Sequence, residues 1–419
     1  MRPAVACARA VPAALLIAAV PSTLAAQRPD SAAAPRVRAI GDSVRADSVR
    51  ADSVRTDSAR TDSATSRLGR LRRAALGAPG DSGPPPRRWR ALPVLGSAPE
   101  TGVQFGGGGM LIRVTRPAGA RATSRPTTDR ILARATTRQQ IQLEYERDAW
   151  FADDAWRVNT NVEYSRFPLA FYGFGASSPE AAEEFYRPRT ITGSLLVQRR
   201  LQRGLYVGAG YALARTWMRR LDPDGVLVTN TIPGSRGGTV ATLDLSLVAD
   251  TRDNVYAPRR GHWVTAQWSP SRRALGSQFT FARTLLDARL YRPLGARTSL
   301  ALQGVLDDMA GTPPFDRLPT IGTSSIMRAY ERGRYREQTL AAAQLELRRD
   351  VHRRLAVAAW GGIGTVASSV GALGDARVLP SAGVGGRWYL FPSERLAARL
   401  DLAFGRAATG IYVGIGEAF

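Results

Sequence analysis

Residues able to do acid–base, nucleophilic or metal chemistry are scarce in this chain. It holds two histidines and one cysteine in 419 residues. His262 lies in Arg259-Arg260-Gly261-His262-Trp263, where a strand begins, and His352 lies in the turn Asp350-Val351-His352-Arg353. They belong to separate turns, so they form no catalytic pair. Cys7 lies in the extreme N-terminal segment. If that segment is removed, no thiol remains, and disulfides, thiolate nucleophiles and zinc–cysteine sites are excluded together. There is no Gly-x-Ser-x-Gly elbow, no P-loop and no metal-spaced His or Cys cluster. Glu180, Glu183 and Glu184 are near enough in sequence to hold a divalent ion, but a solvated loop face explains them more simply. The expectation is a protein that is not an enzyme and carries no cofactor.

The charge balance is strongly positive, with 58 basic against 35 acidic residues, and every basic residue is arginine. Such a balance would usually raise nucleic-acid binding. Here the charge is spread along alternating segments instead of being gathered on one basic face, which argues against that class.

The elements that must carry any function follow from the patterning. Arg2 and Arg9 precede the apolar run Val11 to Val20, and Thr23-Leu24-Ala25-Ala26-Gln27 supplies small residues for cleavage. That is the three-part pattern of a secretory signal peptide over residues 1–26, too short in its apolar core for a membrane span. From Asp42 a pentapeptide recurs as DSVRA, DSVRA, DSVRT, DSART, DSATS. Such units cannot bury enough apolar surface to offset ordering entropy, so residues 27–88 read as a disordered periplasmic linker. The linker is either a spacer or a partner-binding tether.

From residue 89 to 419 the chain alternates with period two in segments of roughly ten to sixteen residues. Leu243, Leu245 and Leu247 alternate with Asp244, Ser246 and Val248, and Val158, Val162 and Tyr164 alternate with Arg157, Asn161 and Glu163. Segments this long exceed ordinary soluble strands and suit tilted strands crossing a bilayer. Aromatic residues near the segment ends, among them Trp150, Trp156, Tyr206, Trp217, Trp263, Tyr291, Trp388 and Tyr389, read as interfacial girdles. Short links alternate with long ones at Phe167 to Pro188, Arg220 to Gly238 and Asp308 to Glu337. The fold class is thus all-β, a transmembrane antiparallel barrel in an outer membrane. Fifteen strands are clear, or sixteen if Arg90 to Gly96 is a first one, and closure favours the even number. Its final segment, Gly410 to Phe419, places Ile411, Val413, Ile415 and Phe419 on one face, with Glu417 the charged exception.

Four stretches carry a family resemblance: Pro99-Glu100-Thr101-Gly102 with Phe105-Gly106; Arg166-Phe167-Pro168 with Phe171 to Gly175; Asp250-Thr251-Arg252-Asp253-Asn254 with Pro258 and Arg260-Gly261; and Ile326-Met327-Arg328-Ala329-Tyr330. Together they resemble the barrel of the bacterial surface antigen superfamily, the BamA/TamA group of outer-membrane insertases and translocation pores. The resemblance implies that a sixth extracellular loop folds into the lumen and sets its tip, Arg328, Ala329 and Tyr330, against the wall. The tip departs from the family pattern at Ala329, which stands where glycine is usual. Glu346 matches one acid that pairs with the tip arginine. The stretch that normally supplies a second acid reads Trp360 to Gly364, with Gly362 in the acid's place. Asp250, Arg252, Asp253, Asn254 and Gly261 match a periplasmic turn, and Tyr412 with Phe419 match a C-terminal sorting signal read by the barrel-assembly machinery. No POTRA pattern precedes residue 89. The resemblance implies assistance to the insertion or translocation of proteins or lipids. A passive or structural barrel, as plugged pore, scaffold or surface receptor, is the alternative. Expected partners are outer-membrane lipids and lipopolysaccharide, the assembly machinery for the chain's own insertion, and client proteins.

Overall fold

The computed structural model describes residues 88–98, 100–113 and 125–419. The signal peptide, the pentapeptide linker and the region where POTRA modules would precede the barrel all lie outside these residues. Apart from five three-residue 3-10 turns, the described chain is strand and loop. No described helix is long and apolar enough to cross a membrane.

The first strands are β1 (Arg88–Ala98), β2 (Gly102–Arg113), β3 (Thr127–Thr136), β4 (Ile141–Phe151), β5 (Trp156–Arg166) and β6 (Leu169–Phe171). They are followed by β7 (Glu184–Gln202), β8 (Leu205–Leu221), β9 (Gly237–Asp250), β10 (Gly261–Ser271), β11 (Phe281–Pro293) and β12 (Thr298–Gly311). A long loop holds the two-residue strands β13 (Thr320–Ile321) and β14 (Tyr335–Arg336), and then come β15 (Thr339–His352), β16 (Leu355–Ala367), β17 (Leu379–Phe391), β18 (Leu396–Gly405) and β19 (Ala408–Ile415).

Sixteen of these strands build a nearly closed barrel, each antiparallel to the next in chain order. The ladder passes from β5 to β7 and from β12 to β15 across the inserted loop pieces. At the closure β1 and β19 lie side by side, so that a Cβ on Gly96 would stand 3.4 Å from the Val413 carbonyl oxygen. Among the described residues, β1 forms its ladder with β2 and β19 with β18, and none joins β1 to β19. All other neighbouring barrel strands are zipped.

The faces are inverted relative to a soluble protein. Leu243, Leu245, Leu247, Leu345, Leu400, Leu402, Ile411 and Val413 are exposed, whereas Ser246, Thr265, Asp287, Gln303 and Asp401 are buried. Period-two alternation here turns leucine outward to lipid and polar groups inward, as a bilayer-spanning barrel requires. The girdle expectation needs correction. Trp217, Trp268, Trp156 and Trp388 do face outward near strand ends, but Trp150, Tyr206, Tyr291, Tyr389 and Phe391 are buried. Trp150 meets Tyr206 edge-on at 5.6 Å, and the two pack with Val248 and Trp263. Strand-end position alone does not say which face an aromatic occupies; the parity of the strand does.

The loop over 167–188 also proves shorter than expected, because Glu184 to Pro188 extend β7 and pair with β6 and β8. Loop residues cover the rim opposite the short turns. Phe171, Tyr186, Leu227, Phe281, Met309, Phe315 and Leu318 form one apolar cluster there. Glu184 is buried and accepts the backbone N–H groups of Val226 and Leu227 at 2.9 and 3.0 Å, while Glu183 accepts the Tyr172 hydroxyl at 2.5 Å. Two of the three glutamates are therefore engaged within the loops.

The inverted faces make a specific prediction. Leu245→Arg, in the middle of the outward row of β9, should cost about 2–4 kcal/mol by bringing a charge to bilayer mid-depth. Urea unfolding in lipid vesicles measures it, and an unchanged midpoint would place that face away from lipid.

Candidate functional site

The loop between β12 and β15 folds into the lumen and carries Arg328 to the inner wall. Its guanidinium is fully removed from solvent. One Nη donates to Glu346 on β15 at 2.7 Å and the other to Asp401 on β18 at 2.6 Å, and both carboxylates are equally buried. The face of the guanidinium lies over the Trp360 ring of β16, 3.6 Å from its centroid. Charge-assisted bonds to two separate carboxylates fix both position and orientation, which a single ion pair would not.

Asp401 was not expected in this role. Where Gly362 leaves no acid on β16, the second carboxylate arrives from β18. The wall makes room for it with glycine: a Cβ at Gly385 would overlap the Asp401 carboxylate, and one at Gly383 would overlap the Trp360 ring. The alternating row Asp401, Ala403, Gly405 on β18 marked Asp401 as inward-facing. Nothing in the local sequence linked it to a residue 73 positions earlier.

A wider ionic lattice surrounds the pair. Arg387 on β17 contacts Asp401 at 2.5 Å, Glu346 at 3.2 Å and Glu417 at 2.8 Å. Arg348 on β15 contacts Glu346 at 2.8 Å and donates to the Phe419 carbonyl oxygen at 2.7 Å. Arg399 approaches Asp401 at 3.5 Å and donates to the Ser324 carbonyl oxygen at 3.1 Å. The position of Glu417 differs from the sequence reading. Gly416 has φ +83°, which breaks the alternation of β19 and turns the following residues into the barrel. Glu417 thereby joins the lattice. Phe419, expected on the outward row with Ile411 and Val413, packs inside with Tyr291, Ala301 and Ala418.

Ala329 holds φ +106°, a region favouring glycine, and Met327 holds φ +52°. The tip keeps its backbone course despite the alanine. The Ala329 N–H donates to the Tyr412 hydroxyl of β19 at 3.0 Å, so Tyr412 anchors the loop from the seam strand. Tyr330 donates to the Pro380 carbonyl oxygen at 2.6 Å and accepts the Arg406 N–H at 3.0 Å, with Gly405 leaving space for its ring. Ser381 donates to the Arg328 carbonyl oxygen. Beside the tip, burial raises the Glu331 carboxyl above the ordinary range, against the opposing pull of Arg138 3.6 Å away. All five strands after the loop thus touch its tip.

The turn between β9 and β10 is built from the expected residues. Asp250 holds Arg252 through two bonds at 3.0 and 2.9 Å, and Asp253 accepts the N–H groups of Arg259 and Arg260. Asn254 accepts those of Tyr256 and Ala257, both at 2.8 Å. Gly261, at φ +99°, lies too close to the Thr251 carbonyl for a side chain. This turn is remote from the loop tip in the fold and orders the short-turn rim. His262 and His352 sit at separate turns, bonding to Thr251 and to the Arg354 N–H. Among the described residues no group of His, Cys, Asp or Glu is arranged to hold a metal.

A sixteen-stranded barrel with an apolar exterior and a loop locked inside its lumen is an outer-membrane β-barrel of the loop-plugged kind. More particularly, the chain belongs to the Omp85 superfamily, whose domain model matches residues 107–419. Among solved structures it is similar to BamA from Haemophilus ducreyi lacking POTRA domains 1–3. There the TM-score is 0.52 at 13% identity, over 84% of this chain and 78% of that one. It is also similar to CdiB from Acinetobacter baumannii, with TM-score 0.50 at 11% identity, over 77% of this chain and 59% of that one. At these identities the likeness concerns the fold. Comparison with curated proteins gives no match.

Two substitutions test the tip. Arg328→Ala removes one partner from each of two buried carboxylates, which keep Arg348, Arg387 and Arg399, and should cost about 2–3 kcal/mol. Ala329→Gly relieves a left-handed alanine and should raise stability by up to about 1 kcal/mol, after allowing for the extra unfolded-state freedom of glycine. Urea midpoints of the folded protein check both, and a destabilising Ala329→Gly would show that the alanine methyl outweighs its backbone strain.

Proposed function

We propose that this barrel assists the insertion or translocation of proteins or lipids at the outer membrane, working through the seam between β1 and β19. The observation that carries this reading is the absence of a ladder there among the described residues, in a barrel otherwise zipped throughout. Unpaired backbone groups at a sheet edge offer a template on which an incoming strand can pair. A locally unpaired wall also lowers the work of opening toward lipid. Gly106 to Gly109 in β2 leave the strand behind β1 with little side-chain packing, which loosens that side of the seam. On the other side Tyr412 and Glu417 tie β19 to the loop tip and its lattice. The loop then serves as an internal brace that keeps one edge in place while the other moves. In this reading the chain reaches the membrane by a cleaved signal peptide and the barrel-assembly machinery, and does no catalysis.

A second reading has one observation in its favour. The loops interlock over the outer rim: Arg334 donates to the Ser178 side chain and carbonyl, both at 2.8 Å, and buried Arg336 lies among Ala170, Tyr186 and Phe315. A barrel sealed in this way also suits a passive plugged pore or scaffold.

The deciding measurement is the folding rate of a simple client barrel into vesicles holding the full chain. The comparisons are empty vesicles, the Arg328→Ala variant, and a Gly96→Cys/Gly414→Cys variant whose disulfide would bridge the seam. Acceleration that disappears on oxidising the paired cysteines and returns on reduction supports insertion through the seam. Equal rates with and without the folded protein would leave the sealed barrel as the function.

A further inference from the structure

The outer wall carries an arginine cluster that neither the seam nor the lumen loop employs. Register across β5, β7 and β8 sets their outward residues in rungs. Val162, Gly193 and Leu213 form one rung, and Tyr164, Ile191 and Arg215 the next. Above them lie Arg166, Arg189 and Trp217. Arg187 and Arg219 follow toward the rim of long loops. Ile141, the β4 partner of Arg166, is exposed, as are Val162, Ile191, Leu213 and Trp217, which fixes this face as the outer one.

Arg166 and Arg189 are therefore direct cross-strand neighbours on the lipid-facing wall. Like charges at that spacing repel, and a sheet ordinarily places an acid or a neutral residue there. The nearby acid of β5, Glu163, points the other way and accepts a lumen-side bond from Gln142. Among the described residues Arg166, Arg187, Arg189 and Arg219 have no carboxylate partner, while twenty-two other ion pairs show that acids are otherwise well placed. Arg215 is held by Thr239 at 2.6 Å and Gln278 at 3.3 Å, both neutral, and lies 5.7 Å from the Trp217 ring centroid. The layer stands directly above the apolar band, at the level of a tryptophan and a tyrosine. That is the depth of lipid headgroups.

We propose that this face binds the phosphorylated headgroup of lipopolysaccharide in the outer leaflet. Two opposed guanidinium groups, flanked by a third on a neighbouring strand, match a phosphate that accepts paired hydrogen bonds. The exposed Ile191, Leu195 and Leu213 below them lie against the acyl chains of the same molecule. A bound phosphate offsets the repulsion between the cross-strand partners Arg166 and Arg189.

Native mass spectrometry of the detergent-folded full chain tests this with three probes: bisphosphorylated lipid A, its dephosphorylated form, and phosphatidylglycerol. Wild type should retain the bisphosphorylated lipid about tenfold better than either other probe, and Arg166→Gln/Arg189→Gln should lose that preference. Arg166→Lys/Arg189→Lys, which keeps the charges but not the two-pronged bonds, should keep only part of it, and Arg292→Gln, at the exposed opposite end of the barrel, should change nothing. Arg187→Gln/Arg219→Gln supplies the same test should the first pair fail to fold, folding being read from heat-dependent gel mobility. Equal retention of the dephosphorylated lipid, or full retention by folded Gln variants, overturns the proposal. Equal retention of phosphatidylglycerol overturns the assignment to lipopolysaccharide.

Discussion

A guanidinium taken wholly out of water has to be neutralised where it lies, and Arg328 meets that demand with two buried carboxylates on strands that are not neighbours. Desolvating three charges is costly, and the return comes only if every group finds a partner in good geometry. This constraint organises the inner wall. Arg387 and Arg348 bridge the same carboxylates to Glu417, Trp360 covers the guanidinium face, and the glycines of β17 clear the space that both need. The loop, the wall and the end of the chain form one electrostatic unit.

That unit lies next to the weakest part of the sheet. Each barrel strand except the two at the closure has a ladder on both sides, and those two meet without one among the described residues. Placing a dense ionic lattice behind β19, and a run of glycines in β2, makes the two edges of the seam unequal in stiffness. A wall that opens by moving one edge against a braced one keeps its lumen loop in place during the movement. A seam with two loose edges would risk losing the barrel.

The exterior obeys a different rule. In lipid, leucine faces outward at no cost, and polar groups are confined to the lumen or to the interfaces. Arginines on the outer wall therefore sit toward its two rims, Arg166 and Arg189 level with Trp217 and Arg199 beside Trp156, and the same residue type serves in the lumen as an internal clamp. The uniform use of arginine for every positive charge suits both settings, since a planar guanidinium bonds carboxylate and phosphate alike in a two-pronged manner.

Period-two alternation, a local property, is enough to declare long membrane strands and their order, because each strand's faces are set by its own residues. It leaves the count at fifteen or sixteen, and β1 over Arg88–Ala98 makes it sixteen. The motif around Arg328 and the row holding Glu346 were legible for the same reason: each is a short stretch whose parity can be read in place. Whatever depends on which strands meet across the lumen was not. Asp401 reaches Arg328 only because the wall curves β18 toward the loop. Glu417 and Phe419 turn inward because one glycine at positive φ reverses the parity of β19, and Tyr412 serves the loop because β19 closes the barrel beside it. The buried aromatics and the missing ladder at the seam belong to that second group. They are consequences of closure, and a chain shows its closure only when the ends of the sheet have met.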